Sequence, residues 1–238
     1  MKNPNGPYPG RQVFIGATVE NKPAFMYLVT GRSPQSRERK ATPKGSSIIM
    51  GPLGNVPYDW LRHYTAVKYD NEIGLLVVTN GIQTEAIFET YKLFYHTASA
   101  PNKSYLKKIM SGANFEPDSL KTPRPSGVIT NPAGKTDPLY LLSIVTEEGT
   151  GAWQIKPGPG SFHGASTYQG NIENPVAYAI QSGPAALNCE AKTPQELADF
   201  IYSISAVTYN GEDIRVCGIG GVRTGNAWRT AIINRHKD

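Results

Sequence analysis

Runs of apolar and β-branched residues, separated by turn residues, dominate the first third of the chain. Arg11–Glu20 (RQVFIGATVE) and Ala24–Thr30 (AFMYLVT) are two such runs, and the short reversal between them predicts an antiparallel hairpin. Tyr64–Asp70 alternates between apolar and polar residues, whereas Ile73–Thr79 (IGLLVVT) is continuously apolar, as expected of a strand covered on both faces. The turn residues between these two runs predict that they pair as well.

Helical periodicity is confined to a few segments. Apolar residues spaced i, i+4 and i+7 form one stripe along Thr84–His96 and predict a helix there. Thr193 and Glu196 form the pattern of a capping box, with Pro194 at the first helical position, and predict a helix that ends near Ser205.

The remaining elements include one more helix and several short strands. A short helix is predicted over Lys103–Met110, followed by a loop with three prolines over Asn114–Pro125. The further predicted strands are Ser46–Met50, Gly127–Thr130, Leu139–Thr146, Ile214–Ile219 and Trp228–Ile233. Because no charge run or Ser/Gly linker divides the chain, we expect a single α+β domain over residues 1–238, with strands stacked in sheets and helices covering them.

Composition excludes several classes of protein. Charged residues make up 18% of the 238, with 24 Lys and Arg against 19 Asp and Glu, which argues against a disordered chain. The absence of any run of 18 apolar residues predicts no transmembrane helix, and the N-terminus lacks the apolar region of a secretory signal. Neither of the two cysteines lies in a CxxC motif, so we expect a reduced, cytoplasmic setting.

The segment Gly31–Lys40 (GRSPQSRERK) is the most basic part of the chain and directly follows an apolar run. Its charged groups are Arg32, Arg37, Arg39 and Lys40, beside Glu38. Guanidinium groups bind phosphate or carboxylate through two parallel hydrogen bonds, which favours a substrate clamp at a strand end. A solvated turn is the alternative interpretation. A nucleic-acid surface is disfavoured, because the net charge is modest and no aromatic residue lies between the arginines.

A second candidate for chemistry is the proline-stiffened loop Phe115–Arg124, which holds Glu116 and Asp118. Such a loop can present a carboxylate as general acid or base, although most carboxylates on loops are solvated. The sequence contains no HExxH, P-loop, GxGxxG or GxSxG motif, which predicts neither a zinc site nor a nucleotide cofactor.

Several short motifs occur in an order that resembles the archaeal-type IMP cyclohydrolase family and its bacterial relatives, over roughly residues 8 to 206. These motifs are Tyr8–Arg11 (YPGR), Thr30–Arg37 (TGRSPQSR), Thr79–Thr84 (TNGIQT), Phe115–Asp118 (FEPD), Thr122–Gly127 (TPRPSG) and Glu173–Pro175 (ENP). The resemblance implies a four-layer α-β-β-α sandwich similar to the N-terminal-nucleophile hydrolases. It implies no N-terminal nucleophile, in agreement with Lys2 after Met1.

The same resemblance implies an activity: the last step of purine synthesis, in which the formamido ribotide of imidazole carboxamide (FAICAR) closes its ring and loses water to give inosine monophosphate (IMP). The enzyme is classed as a hydrolase of cyclic amidines and is expected to need no metal or other cofactor. A non-catalytic purine-nucleotide-binding relative is the alternative, and an amide hydrolase of similar fold is a weaker one. The expected partner is a small nucleotide, with no nucleic acid or membrane, and a homo-oligomer is compatible with the pattern.

Three residues match the catalytic positions of the family motifs. The resemblance assigns Arg37 to orienting the carboxamide or formyl oxygen, Glu116 to proton transfer and Tyr64 to donating a proton to the developing oxyanion. The register around the tyrosine leaves Tyr58 as a competitor. We expect Arg37 and Glu116 to face one cavity.

Four further residues are expected to bind substrate. Arg32 lies on the same basic segment and could reach the phosphate, Asn80 and Gly81 end a strand where amide groups meet a ligand, and Arg124 could hold Glu116 or the substrate. Alternatively, Arg124 only pairs with Asp118.

Overall fold

Two large β-sheets carry most of the fold in the computed structural model, which describes residues 8–97, 102–131 and 137–236. The six-stranded sheet has, in spatial order, β11 (Ala185–Asn188), β10 (Ser161–Ser166), β1 (Gln12–Ala17), β2 (Pro23–Thr30), β14 (Arg215–Thr224) and β15 (Ala227–Asn234). The seven-stranded sheet has β3 (Arg39–Lys44), β4 (Ser47–Pro52), β5 (Tyr64–Asp70), β6 (Leu75–Thr79), β7 (Arg124–Thr130), β8 (Leu139–Thr146) and β9 (Gly149–Ile155).

The remaining elements are short strands and helices. A two-stranded ribbon is formed by β12 (Thr208–Tyr209) and β13 (Glu212–Asp213). The helices are α1 (Pro34–Arg37), α2 (Thr84–His96), α3 (Lys103–Ala113), α4 (Pro194–Ile204) and a 3-10 turn (Ile180–Ser182).

The two sheets pack face to face because their central strands carry apolar side chains on both faces, one of which points to the other sheet. In β1, Val13 and Ile15 contribute to a core shared with the seven-stranded sheet, whereas Phe14 faces the opposite way. In β6, Leu76 and Val78 belong to the same shared core. Side chains on a strand alternate between its faces, so each central strand buries both of them.

Helices cover the outer face of each sheet. Ile87 and Tyr91 of α2, together with Leu106 of α3, pack in a core with Leu75 and Val77 on the outer face of the seven-stranded sheet. On the other sheet, Leu197 and Ile201 of α4 pack in a core with Met26 and Leu28 of β2. These helices therefore lie on the face of each sheet that points away from the shared core.

The structure confirms the predicted strand-rich fold with few helices. The hairpin of β1 and β2 and the pairing of β5 with β6 are both present. Helix α2 has the predicted bounds, and Thr193 and Glu196 form the complete capping box of α4.

The number of elements exceeds the prediction, because several of them are short. The basic segment forms the single-turn helix α1 and the start of β3. A solvated turn is wrong for this segment, since Arg37 and Arg39 are buried. Strand β9 was not predicted either, since Gly149–Ile155 contains two glycines, which interrupt the apolar alternation.

We predict that Gly220→Val will destabilise the fold, because α4 lies directly on β14 at this point. A side-chain carbon on Gly220 would come within 2.2 Å of the Pro194 carbonyl oxygen. The free energy of unfolding in urea should fall by about 1–3 kcal/mol. Gly112→Ala is the control, because it has open space in α3 and should stabilise by about 0.5–1 kcal/mol. Equal stability of the Gly220 variant and the parent would contradict this packing.

Candidate functional site

Five polar side chains converge at one end of the layer between the two sheets. Arg11 directly precedes β1 and Tyr27 lies on β2, so both come from the six-stranded sheet. Tyr64 begins β5 and Asn80 directly follows β6, both in the seven-stranded sheet. Glu116 lies in the loop between α3 and β7. Packing the sheets together is therefore what assembles the site.

An ion pair between Arg11 and Glu116 is the centre of this cluster. The Arg11 Nη2 atom lies 2.7 Å from Oε1 and 2.6 Å from Oε2 of Glu116, whose side chain is only 5% exposed. Burial opposes the charge of the guanidinium, but the carboxylate outweighs this and raises the pKa of Arg11 well above its ordinary value. The backbone N–H of Glu116 also donates to the Thr122 carbonyl, which holds the loop in place.

The side-chain amide of Asn80 links the ion pair to two tyrosines. Its Nδ2 atom donates to Glu116 Oε1 at 3.1 Å, and its Oδ1 atom accepts from Arg11 Nε at 3.1 Å. The Tyr64 hydroxyl donates to the same Oδ1 at 2.7 Å, and the Tyr27 hydroxyl lies 2.9 Å from that of Tyr64. Because both groups of the amide have partners of the matching kind, its orientation is determined by the network.

The phenol of Tyr64 stays protonated at neutral pH. Burial raises its pKa, and the nearby positive charges of Arg39 and Arg11 offset this only in part. A neutral phenol is a proton donor rather than a base. The donation of this proton to substrate stays a prediction.

A cavity of about 350 Å³ opens next to the ion pair. This volume lies in the range of small-molecule sites. The lining is mostly polar and is drawn from the basic segment, the β4–β5 loop and the acidic loop. Its charged and hydroxyl residues are Arg11, Ser33, Ser36, Arg39, Asp59, Arg62, Glu116 and Asp118.

Arg39 is the lining cation that has no carboxylate partner among the described residues. Its Nε atom donates to the Ser36 carbonyl at 2.9 Å and its Nη1 atom to the Arg62 carbonyl at 3.2 Å. The side chain of Arg62 is itself paired with Asp59. Only 2% of Arg39 is exposed, and a buried cation that is not neutralised favours an anionic ligand.

The two arginines predicted in this segment have other contacts in the structure. Arg37 does not line the cavity; it donates to the carbonyls of Gly31 and Arg32 and pairs with Glu212 at 2.6 Å. Arg32 donates to the Ile172 carbonyl and also lies outside the cavity lining. The structure therefore does not bring Arg37 and Glu116 onto one cavity wall, and the substrate contacts of Arg37 and Arg32 stay predictions.

The structure distinguishes between the two tyrosines and separates Arg124 from the predicted carboxylates. Tyr58 is 72% exposed and donates to the His63 carbonyl, whereas Tyr64 joins the network. Arg124 donates to the Ala113 carbonyl and lies under the Trp60 ring. No hydrogen bond or ion pair joins it to Glu116 or Asp118 in the described part of the chain.

Gly81 lies against the side chain of Arg124. It has a positive φ of 131°, and a side-chain carbon there would come within 3.1 Å of Arg124 Nε. The conformation and the close approach both favour glycine at this position. Gly81 therefore allows the chain to pack closely against Arg124 directly after Asn80, and its contact with substrate stays a prediction.

Sequence reasoning missed Arg11 as a site residue and named Arg39 only as one of four cations of the basic segment. Arg11 belongs to the YPGR motif, which was recognised only as a sign of the family. Arg39 and Ala41 are buried in β3, whereas Lys40 between them is more exposed. This alternation marks Arg39 as facing inward, and a strand assignment for the segment would have found it.

No group of three or more His, Cys, Asp or Glu side chains is placed to hold a metal ion in residues 8–97, 102–131 and 137–236. No helix in those ranges has the length and apolar character required to span a membrane.

Comparison with known proteins gives one consistent result. The family described as IMP cyclohydrolase-like protein matches residues 8–226. The chain is 25% identical over 196 residues to an IMP cyclohydrolase of Methanocaldococcus jannaschii, covering 82% of this chain and 85% of that protein. It is 29% identical over 174 residues to an IMP cyclohydrolase of Methanothrix thermoacetophila, covering 67% and 81%. The matched region contains the whole cavity lining.

We predict that removing one partner of the Arg11–Glu116 pair will lower the free energy of unfolding by more than the intact pair contributes to it. Arg11→Met and Glu116→Gln should each lower the free energy of unfolding in urea by about 3 kcal/mol, because one charged partner stays buried alone. The double variant should lose clearly less than the sum. As a control, Lys22→Met breaks an exposed pair with Glu20 and should change stability little. Additive losses would show that the two groups do not interact.

Proposed function

Because the chain belongs to the IMP cyclohydrolase-like family, we propose that it closes FAICAR to IMP with loss of water. One observation carries the proposal: Arg11 and Glu116, linked through Asn80 to Tyr64, lie beside a cavity that is also lined by Arg39, a cation with no carboxylate partner in the described part of the chain. Proton-transfer groups and an anion-binding group beside one cavity match a substrate with a reacting amide and a monophosphate.

Ring closure places two demands on the chain. The carboxamide nitrogen is a poor nucleophile, so it has to be held about 3–3.5 Å from the formyl carbon. In the proposed first step, the nitrogen forms a bond to that carbon, Glu116 takes an N–H proton and Tyr64 donates its proton to the oxygen that becomes an alkoxide. The side chain of Arg11 orients the carboxylate through two hydrogen bonds.

Loss of water completes the reaction and returns both groups to their starting forms. Glu116 gives its proton to the departing hydroxyl, and the C–O bond breaks as water leaves. The proton on the former formamide nitrogen goes to the Tyr64 phenolate, and a C=N double bond forms. No electrons are gained or lost, so the residues present suffice for the proton balance.

We assign the phosphate to the basic segment. Arg39 supplies the positive charge, and the hydroxyls of Ser33 and Ser36 line the same cavity. Arg37 donates to the carbonyls of Gly31 and Arg32 and so maintains the shape of the segment, and its contact with the substrate oxygen stays a prediction. Substrate contacts of Arg32, Asn80, Gly81 and Arg124 remain predictions of the family resemblance.

The layer order also supports two proposals about the fold. Helices outside two sheets that share a core are the arrangement expected of a four-layer α-β-β-α sandwich, similar to the N-terminal-nucleophile hydrolases. The shared core supports one domain over residues 1–238. The cytoplasmic location and any homo-oligomer stay predictions from sequence.

Glu116→Gln should lower kcat by at least about 10²-fold, because general acid–base catalysis by one side chain increases a rate by this factor or more. The measurement is the ultraviolet absorbance of purine formation from FAICAR, with and without EDTA, alongside circular dichroism of the variant. Glu190→Gln, which changes an exposed carboxylate, is the matched control and should turn over like the parent. Parent protein that binds IMP without converting FAICAR would favour the non-catalytic alternative. A Glu116 variant at the parent rate would remove Glu116 from the mechanism.

Arg39→Gln should reduce selectivity for the phosphate. By calorimetry we expect the parent to bind IMP more tightly than inosine, and the variant to lose roughly 10-fold or more of that preference, the scale of a charged hydrogen bond. Inosine binding should change little. Arg229→Gln, at an exposed position on β15, should leave both affinities unchanged. If the Arg39 variant keeps the full preference for IMP, the phosphate binds elsewhere.

A further inference from the structure

Tyr27 is a buried polar residue at the site that the proposed reaction leaves without a role. It lies on β2 with none of its surface exposed, and its hydroxyl oxygen is 2.9 Å from that of Tyr64. Tyr64 keeps 5% of its surface exposed. Of the two phenols, Tyr64 is therefore the one that keeps accessible surface, and we expect Tyr27 to act on the reaction only through Tyr64.

The hydrogen bonds define which phenol donates to which. Since Asn80 Nδ2 donates to Glu116, its Oδ1 is the acceptor for the Tyr64 hydroxyl at 2.7 Å. The Tyr27 hydroxyl is 3.4 Å from that Oδ1 but 2.9 Å from the Tyr64 oxygen. The shorter contact is the better hydrogen bond, so Tyr27 donates to the oxygen of Tyr64.

The surroundings make Tyr64 the phenol that loses its proton more readily. The charged groups that interact with it are Arg11, Arg39, Arg124 and Glu116. Burial raises the pKa of both phenols, and it places that of Tyr27 well above its ordinary value. The guanidinium groups of Arg39 and Arg11 and the hydrogen bond from Tyr27 lower the pKa of Tyr64.

We propose that Tyr27 is a positioning residue that stabilises the Tyr64 phenolate formed when Tyr64 donates its proton to the substrate oxygen. This inference rests on the proposed function. The proton leaves the Tyr64 oxygen for the substrate alkoxide, while Tyr27 keeps its own proton and shares it with the new phenolate.

The test compares Tyr27→Phe with the parent in FAICAR turnover. Because a hydrogen bond to a charged group is lost, kcat should fall roughly 10- to 100-fold with KM little changed. The alkaline limb of the kcat–pH profile should move to higher pH, since a phenolate without this donor is less stable. Tyr91→Phe is the matched control: it removes a buried hydroxyl that donates to the Asn102 carbonyl, and its profile should match the parent.

A double-mutant cycle separates this role from a structural one. In a Tyr64→Phe background, Tyr27→Phe should cause no further loss of kcat, because Tyr27 acts only through Tyr64. An equal loss in both backgrounds, an unmoved alkaline limb or a parent-like kcat would overturn the inference and leave the proposed function standing. Absence of turnover by the parent would instead overturn the proposed function, and the inference with it.

Discussion

The buried ion pair between Arg11 and Glu116 is the constraint on which the arrangement of the site depends. Removing two charges from water costs several kcal/mol for each ion unless geometry and further hydrogen bonds compensate. Here both carboxylate oxygens accept from one Arg11 nitrogen, and Asn80 donates to one of them. Because a small displacement of the Glu116 carboxylate would break these hydrogen bonds, they fix the position of the loop that carries Glu116.

The pair also explains why the site lies between the sheets. Arg11 is anchored by β1, whereas Asn80 is anchored by β6 in the other sheet. The shared core of Val13, Ile15, Leu76 and similar side chains brings these strand ends together. Apolar packing therefore brings the polar groups together. Directional hydrogen bonds then determine how these groups are oriented relative to one another.

Much of the fold could be predicted because strong local patterns agree with it. The capping box at Thr193 and the stripe along α2 depend on neighbours in sequence, and the structure has both. Strand β9 and the start of β3 depend on partners across the sheet, which a local window does not contain. Sheet order and the pairing of β2 with β14, about 190 positions apart, are non-local for the same reason.

In the candidate site, too, some residues can be identified from local motifs and others only from contacts between distant parts of the chain. Glu116, Tyr64 and Asn80 were named from motifs, and the structure places them in one network. Arg37 was named from the same kind of motif, but its guanidinium turns to backbone carbonyls and Glu212. Neighbouring arginines in a basic segment look alike in sequence. Only the pleat of β3 and the short turn of α1 decide that Arg39 faces the cavity.

The contact between Arg37 and Glu212 gives the small ribbon of β12 and β13 an importance that its size does not suggest. Glu212 lies 175 positions along the chain from Arg37, on a ribbon whose other members take no part in the cavity. Substitutions there can retune how firmly the anion-binding segment is braced while leaving every reacting group untouched. The ribbon therefore gives the chain a way to adjust its affinity for an anion at a distance from the chemistry.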